Sequence, residues 1–208
     1  MDIGANIGQY GGTLRSIGYR GRIVSFEPLS SAHAQLLKSS KGDGLWEVAP
    51  RMALGNSEGE VSIHLSRNSM SSSILNMLPQ HELGAPDSVY IGKETAPLAQ
   101  LDSVAFSYLR QASSVLLKID AQGYEDRVLA GAHTVLERIR AIQIELSLVP
   151  LYEGQVLFDE MRKRLGSLGY ELTAMFPVYV DEVTGQTLQI DGLFVRHARQ
   201  TLYQGSGG

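Results

Sequence analysis

The chain has 208 residues, 43% of them hydrophobic and 19% charged, which is typical of one globular α/β domain rather than of a disordered chain. Its net charge of −4 argues against a nucleic acid as the main partner, and the absence of cysteine excludes disulfides, thiolate metal sites and a cysteine nucleophile. No apolar run is long enough to span a bilayer and no secretory signal precedes Asp2, so we expect no transmembrane segment and a cytoplasmic protein.

The chain opens with a short apolar strand, a turn and a helix. Residues 1–4 predict the end of a buried strand, and a helix follows with Tyr10, Leu14 and Ile17 on one face. The strand is unusually short at its start, as if the residues that normally lead into it were missing. We expect its exposed edge to favour a homo-oligomer.

The next predicted elements alternate between strand and helix. They are a strand, a helix and two further strands, over residues 22–27, 30–40, 46–53 and 61–65. Pro28 ends the first of these strands, and Leu36 and Leu37 face inward from the helix. Residues 66–97 then lack periodicity and are rich in serine, which predicts a lid or binding loop.

The second half of the chain contains the clearest buried strand, over residues 115–120. Further strands are predicted over residues 98–101, 141–146, 170–174 and 192–196, with a hairpin turn at Thr184–Gly185. Helices are predicted over residues 124–132 and 155–168. This alternation predicts a mainly parallel sheet with helices on both faces. We expect a single domain over residues 1–199, followed by a flexible tail over residues 200–208.

Four carboxylates stand at or near the ends of predicted strands: Asp2, Glu27, Asp120 and Glu145. In an open parallel sheet, ligands bind beyond the carboxyl ends of the strands. Unpaired buried acids are costly, so a group of them at strand ends indicates a ligand site, with helix or turn capping as the alternative.

The glycine turn indicates which ligand this site binds. Glu27 lies 19 positions after Gly8, which is close to the spacing expected for an acid that binds ribose hydroxyls. That spacing suits NAD and S-adenosylmethionine equally. Asn6 stands where a dinucleotide site needs a glycine beside the pyrophosphate, so the turn favours S-adenosylmethionine, a cofactor without phosphates.

Four motifs occur in order along the chain. They are Asp-Ile-Gly-Ala-Asn-Ile-Gly at residues 2–8, Ser-Phe-Glu-Pro at 25–28, Leu-Lys-Ile-Asp-Ala-Gln-Gly-Tyr-Glu at 117–125, and Ile-Glu-Leu at 144–146 before Leu-Tyr-Glu-Gly at 151–154. Together they resemble the FkbM family of S-adenosylmethionine-dependent methyltransferases. The resemblance implies the class I methyltransferase (Rossmann-like) fold with a seven-stranded sheet, N-terminally short here because family members usually carry a longer segment before the first motif. It also implies O-methylation of a hydroxyl on a sugar, glycolipid, polyketide or similar secondary metabolite.

The resemblance also implies the cofactor residues, which are Asp2, Gly4, Asn6, Gly8, Glu27, Pro28, Met52, Ala53, Asp120 and Gln122. The two glycines and Asn6 would shape the turn beside the methionine part, with Asp2 facing its amino group. Glu27 would bind the ribose hydroxyls, and residues 52–54 would line the adenine. The simpler alternatives are a plain tight turn for the glycines and ordinary core for residues 52–54.

Methyl transfer to a hydroxyl requires a group that removes its proton. Asp120 is the first candidate for this base, and Gly123 permits a backbone angle that would aim it into the cleft. Glu145 is the second candidate, and Lys118 would pair with one of these acids or lie near the acceptor. The alternative is a structural ion-pair cluster of Lys118, Asp120 and Glu125.

Among the five histidines, His64 is the best placed for catalysis, beside the serine-rich segment, and otherwise it is a surface residue. A divalent metal could lie between Asp120, Glu145 and an asparagine, but no tight acidic triad occurs locally, so we expect none. A non-catalytic or truncated cofactor-binding domain of the same fold is the main alternative function. A nucleic-acid methyltransferase is disfavoured because the chain has no Pro-Pro motif, no cysteine and a negative charge.

Overall fold

A seven-stranded sheet forms the centre of the molecule in a computed structural model, which describes residues 1–109 and 112–196, with only the backbone of residues 82–84. The strands are β1 (Asp2–Ile3), β2 (Ile23–Phe26), β3 (Trp46–Val48), β4 (Ala53–Gly55), β5 (Gly59–Ser66), β6 (Tyr90–Gln100), β7 (Leu116–Ile119), β8 (Ala141–Ser147), β9 (Tyr170–Val180) and β10 (Thr187–Arg196). The helices are α1 (Gln9–Ser16), α2 (Ser30–Ser39), α3 (Pro79–Gly84), α4 (Leu101–Val104), α5 (Glu125–Ala130) and α6 (Phe158–Ser167). None of the helices in the described ranges has the length and hydrophobicity of a membrane span.

The strand order of the main sheet is β3-β2-β1-β7-β8-β10-β9. The first five strands in this order, from β3 to β8, are parallel, and β10 runs antiparallel to both of its neighbours. This order confirms the predicted mainly parallel sheet of seven strands. The expected pairing edge on the first strand is wrong, because Asp2 and Ile3 pair with β2 on one side and with β7 on the other.

Helices cover both faces of this sheet, as predicted. Ile23 of β2 packs with Leu14 of α1 and Leu36 of α2. Phe26 faces the opposite side, in a cluster with Val128 of α5 and with residues of α6. Because side chains alternate across a strand, β2 is buried from both sides, which is what a parallel sheet requires.

Leu37, which was predicted to face inward, and Ile17, which was predicted to share a helix face with Tyr10 and Leu14, are both exposed. Leu37 is 50% exposed because the neighbouring Leu36 takes the inward position of α2, and consecutive helical residues point about 100° apart. Ile17 is 74% exposed because α1 ends at Ser16 and the chain turns away after it.

A second sheet of three strands, in the order β4-β6-β5, corrects two further predictions. Residues 46–53 do not form one strand, because Pro50 lacks an amide hydrogen and the chain leaves the main sheet there. Residues 66–97 are not a continuous loop, because they contain α3 and most of β6. Pro97 is tolerated within β6 because pairing with β4 begins only at Leu98.

The chain closes with a hairpin of two long strands. β9 and β10 extend well beyond the predicted residues 170–174 and 192–196, and the predicted turn at Thr184–Gly185 lies between them. The predicted domain end at residue 199, the tail and His197 lie outside the described residues.

Candidate active site

A cavity of 590 Å³ lies beyond the carboxyl ends of the parallel strands. Its floor is formed by the segments that directly follow β1, β2 and β7, which are residues 4–6, 27–29 and 120–122. Its size is that of a small-molecule site, and this edge of an open parallel sheet is where such folds bind ligands. Nine of the ten predicted cofactor residues line it: Asp2, Gly4, Asn6, Glu27, Pro28, Met52, Ala53, Asp120 and Gln122.

The turn after β1 depends on Gly4. Its φ of +76° lies in the left-handed region, and a Cβ atom there would lie 1.8 Å from the carbonyl oxygen of Asp120. The amides of Gly4 and Ala5 both donate to the carbonyl oxygen of Phe26, at 3.0 Å each. Asn6 continues the turn with a φ of +48°. The backbone of this turn is therefore bare and in contact with the segment after β7.

Gly8 lies behind the turn and outside the cavity lining. Its φ is +96°, and a Cβ atom would lie 3.0 Å from Leu36 and 3.1 Å from Trp46. Glycine is needed here so that α1 can pack closely against these two side chains. A direct role of Gly8 at the cofactor stays a prediction.

Glu27 is buried at the end of β2 and holds the turn in place. One carboxylate oxygen accepts the amide of Asn6 at 2.8 Å, and the other accepts the amide of Leu29 at 2.8 Å. Burial raises the pKa of Glu27 to about 7, although the two backbone hydrogen bonds act in the opposite direction. Each oxygen keeps a second lone pair, so the carboxylate can also accept hydrogen bonds from a ligand.

An apolar wall stands next to Glu27. It consists of Pro28, Met52, Ala53 and Leu54, of which the last two are buried.

Asp2 is a buried acid of the cavity, and the hydroxyl of Ser25 donates to its carboxylate at 3.2 Å. Burial raises the pKa of Asp2 to about 6.

The turn after β7 carries two of the predicted cofactor residues, Asp120 and Gln122. Gln122 has a φ of +50° and Gly123 a φ of +93°. The carboxylate of Glu125 accepts the amides of Ala121 and Gly123, at 2.9 and 3.1 Å. The hydroxyl of Ser73 donates to the carbonyl oxygen of Gln122 at 2.6 Å. Glu125 therefore caps this turn and is not part of an ion-pair cluster with Lys118.

Gln122 brings the two candidate bases together. Its amide nitrogen donates to Oδ1 of Asp120 and to Oε2 of Glu145, at 2.8 Å each. Gln189 donates to the same oxygen of Glu145 at 2.8 Å, and the hydroxyl of Tyr152 donates to Oε1 of Gln122 at 2.7 Å. Burial, together with the charge of Asp120, raises the pKa of Glu145 well above its usual value.

Lys118 is the buried cation of the site. Its ammonium lies 3.2 Å from Oδ2 of Asp120 and 3.4 Å from Oδ1 of Asp191, and 5.9 Å from the ring centre of Tyr10. Burial acts to lower the pKa of Lys118, but Asp120, Asp191 and Glu145 raise it above its usual value. Lys118 is therefore charged at neutral pH, and it holds the carboxylate of Asp120 from one side.

His64 lies apart from this group. It belongs to β5, does not line the cavity, and stacks on Tyr90 with 4.6 Å between ring centres. Burial and the charge of Lys93 lower its pKa. The structure does not bring His64 to the candidate bases, and its predicted catalytic role stays a prediction.

Comparison with known families identifies the chain. Its sequence matches the family described as Methyltransferase FkbM domain over residues 2–172. The chain belongs to this family. The match confirms the predicted family, and with it the predicted enzyme class and cofactor, those of an S-adenosylmethionine-dependent methyltransferase domain. The observed sheet of this FkbM domain confirms the predicted class I methyltransferase fold.

Solved structures similar to this FkbM domain share little sequence with it. The crystal structure of TehB from Haemophilus influenzae has a TM-score of 0.44 and 11% identity, covering 94% of this chain and 56% of TehB. A LepI complex with SAM has a TM-score of 0.44 and 10% identity, covering 94% of this chain and 42% of LepI. A structure described by the conversion of a disulfide bond into a thioacetal group during echinomycin biosynthesis has a TM-score of 0.43 and 13% identity. The match covers 94% of this chain and 74% of that one. The chain thus spans about half the length of the first two, and no match was found among curated proteins.

Several residues that line or support the FkbM cavity were missed in the sequence. They are His81, Tyr179, Gln189, Asp191 and the serines of residues 69–73, together with Tyr152, which belongs to the Leu-Tyr-Glu-Gly motif but was given no role. Gln189 and Asp191 occupy alternate positions of β10 and therefore point to the same face of the sheet. The predicted strand began only at residue 192, so it did not include them. The serine segment was predicted as a binding loop, without individual residues. His81 and Tyr179 carry no local signal.

Proposed function

We propose that this FkbM domain transfers the methyl group of S-adenosylmethionine to a hydroxyl of a sugar, glycolipid, polyketide or similar secondary metabolite. The observation that carries this proposal is the position of Asp120, a cavity-lining carboxylate whose side chain is 34% exposed, between the glycine turn and the amide of Gln122. A partly exposed carboxylate beside a cofactor turn can both orient a hydroxyl and take its proton.

The residues of one half of the cavity fit the cofactor. S-adenosylmethionine supplies an activated methyl group when it is bound. The second lone pairs of the Glu27 carboxylate suit the two ribose hydroxyls, and the apolar wall at Met52 and Ala53 suits the adenine. The bare backbone at Gly4–Asn6 and the carboxylate of Asp2 suit the methionine part and its amino group.

The other half of the cavity provides for proton removal. Oδ1 of Asp120 is the oxygen that takes the acceptor's proton, because Oδ2 is paired with the Lys118 ammonium at 3.2 Å. Lys118 and Gln122 each bind one oxygen of the carboxylate and so hold it in one orientation towards the acceptor hydroxyl. Glu145 is the second candidate, because its raised pKa makes it a stronger base once it is ionised.

Calorimetry and a turnover assay test this function. S-adenosylmethionine and S-adenosylhomocysteine should both bind, and label from S-adenosylmethionine should appear on at least one member of a panel of sugars, glycolipids and polyketides. Absence of binding to either compound would overturn the proposal. Binding without turnover on any hydroxyl would favour the non-catalytic domain instead.

Glu27 makes a prediction about pH. Ribose hydroxyls donate to the ionised carboxylate, and the pKa of Glu27 is about 7 in the free protein. Binding of S-adenosylhomocysteine should therefore weaken about tenfold from about pH 8 to about pH 6, as the carboxylate becomes protonated. Calorimetry at several pH values measures this.

Two glutamate-to-glutamine variants, one at Glu27 and a control at Glu160, test whether Glu27 causes this pH dependence. Glu27→Gln should weaken binding at about pH 8 by about 1–3 kcal/mol and flatten the pH dependence, because no titrating group remains at this position. Glu160→Gln, on an exposed turn of α6, should keep the wild-type affinity and pH profile. A wild-type affinity that stays constant over this pH range would contradict the assignment of Glu27.

A further inference from the structure

His81 is a buried histidine in the wall of the cavity. It lies on α3, is 3% exposed, and its Nδ1 is buried without a hydrogen-bond partner among the described residues. Leaving a buried nitrogen unpaired is unfavourable, and a hydrogen bond to a bound ligand would offset that cost. A half-turn of the ring about its Cβ–Cγ bond exchanges Nδ1 and Cδ2, which lets the ring present either edge to a ligand.

Aromatic contacts connect His81 with the candidate bases. Its ring meets Tyr152 edge-on, with 5.0 Å between centres, and lies 5.5 Å from the ring centre of Tyr179. The Tyr152 hydroxyl in turn donates to Gln122, which donates to Asp120. His81 is thus part of the wall next to the proposed reaction centre and not an isolated surface residue.

This wall is distinct from the cofactor half of the cavity. Glu27 and Met52 come from the segments after β2 and before β4, whereas His81, Tyr179 and Gln189 come from α3, β9 and β10. A molecule that contacts His81 therefore occupies the acceptor side.

The charges of the cavity restrict the class of acceptor. Lys118 is the single lysine or arginine among the described lining residues, and it is already paired with two carboxylates. Among the described lining residues, five are carboxylic acids: Asp2, Glu27, Asp120, Glu145 and Asp191. A phosphorylated or carboxylated acceptor would be repelled, whereas neutral amides, hydroxyls and aromatic rings suit a molecule with several uncharged hydroxyls.

We propose that His81 is the specificity-determining residue of the acceptor site, where its imidazole hydrogen-bonds a hydroxyl of an uncharged, polyhydroxylated acceptor beside the hydroxyl that is methylated. This inference rests on the proposed function. Burial lowers the pKa of His81 to about 4, so the ring is neutral at physiological pH and offers one donor and one acceptor.

A turnover assay with labelled S-adenosylmethionine tests the inference. The panel consists of methyl glucoside, methyl rhamnoside and methyl mannoside, together with glucose 6-phosphate and glucuronic acid. At least one neutral glycoside should be methylated, and the two anionic sugars at least about tenfold more slowly. Faster methylation of the anionic sugars would overturn the proposed acceptor class.

Variants of His81 separate acceptor recognition from a structural role. His81→Phe, which keeps a ring, should raise KM for the glycoside at least about tenfold, while the affinity for S-adenosylhomocysteine stays within about twofold. His81→Gln, which restores a donor and an acceptor, should recover part of the loss and decides the question if the Phe variant fails to fold. His133→Phe, at an exposed position, is the control and should behave as wild type. An unchanged KM in His81→Phe, or an equal loss of cofactor affinity, would refute the role.

NMR of the histidine rings keeps this test independent of turnover. With S-adenosylhomocysteine bound, addition of the neutral glycosides should shift the His81 ring signals and leave those of His133 in place. Shifts without methylation would support the acceptor contact while the proposed transfer fails. Absence of any shift with all three glycosides would overturn the role of His81.

Discussion

Replacing Gly4 with alanine should lower the free energy of unfolding by about 3–5 kcal/mol and remove measurable binding of S-adenosylhomocysteine. The new Cβ atom would lie 1.8 Å from the carbonyl oxygen of Asp120, which is backbone and cannot move aside as a flexible side chain would. The residue would also have to keep a φ of +76°. Relief of this overlap would separate the turn after β1 from the turn after β7. Urea unfolding and calorimetry measure the two effects.

Gly12→Ala is the matched control for this substitution. Gly12 lies in α1, is exposed, and has no atom within 4 Å of the position that a Cβ would take. Alanine is the better helix former there, so this variant should gain about 0.5–1 kcal/mol and bind normally. Wild-type stability and binding in Gly4→Ala would show that the two turns are not in contact.

The central strands and the cofactor side of the site could be predicted because their signals are local. Apolar runs such as residues 115–120 end in a carboxylate with a glycine or proline within the next three residues, and that order indicates strand, turn and ligand edge. The structure then brings Asp120, Glu145 and Lys118 to one cavity, as strand ends in a parallel sheet must.

What could not be predicted depends on contacts between distant segments. The division of residues 46–53 between two sheets is set by which strands pair with each half. Most of β6 was missed because only two of its residues, Ala96 and Leu98, are buried, and both of its partner strands lie far away in the sequence. His81 joins the cavity only because α3 packs against Tyr152 and Tyr179, and no pattern around residue 81 encodes those partners.

Asp120→Asn should lower kcat by about 10²–10⁴ and leave the affinity for S-adenosylhomocysteine within about twofold. Asparagine keeps the size of the side chain and an oxygen that accepts the amide of Gln122, but it cannot take a proton from the acceptor. Lys118 keeps Asp191 as a partner, so the buried cation is not left unpaired. Single-turnover kinetics with the best acceptor of the panel and calorimetry with the cofactor product measure the two quantities.

Asp191→Asn tests whether the loss comes from the ion pair rather than from the base. It removes the other partner of Lys118, at 3.4 Å, but leaves Asp120 paired with the cation, so kcat should fall by less than about tenfold. An equal loss in Asp191→Asn would mean that charge balance around Lys118 matters, and not proton removal by Asp120.

Glu145→Gln tests the second candidate base. Glu145 is half-buried, and its Oε2 accepts amides from both Gln122 and Gln189, so its substitution should lower kcat less than Asp120→Asn does. If Asp120→Asn kept full kcat and Glu145→Gln lost it, the base would be Glu145. Asp120 would then be the carboxylate that orients Gln122 from the cavity side.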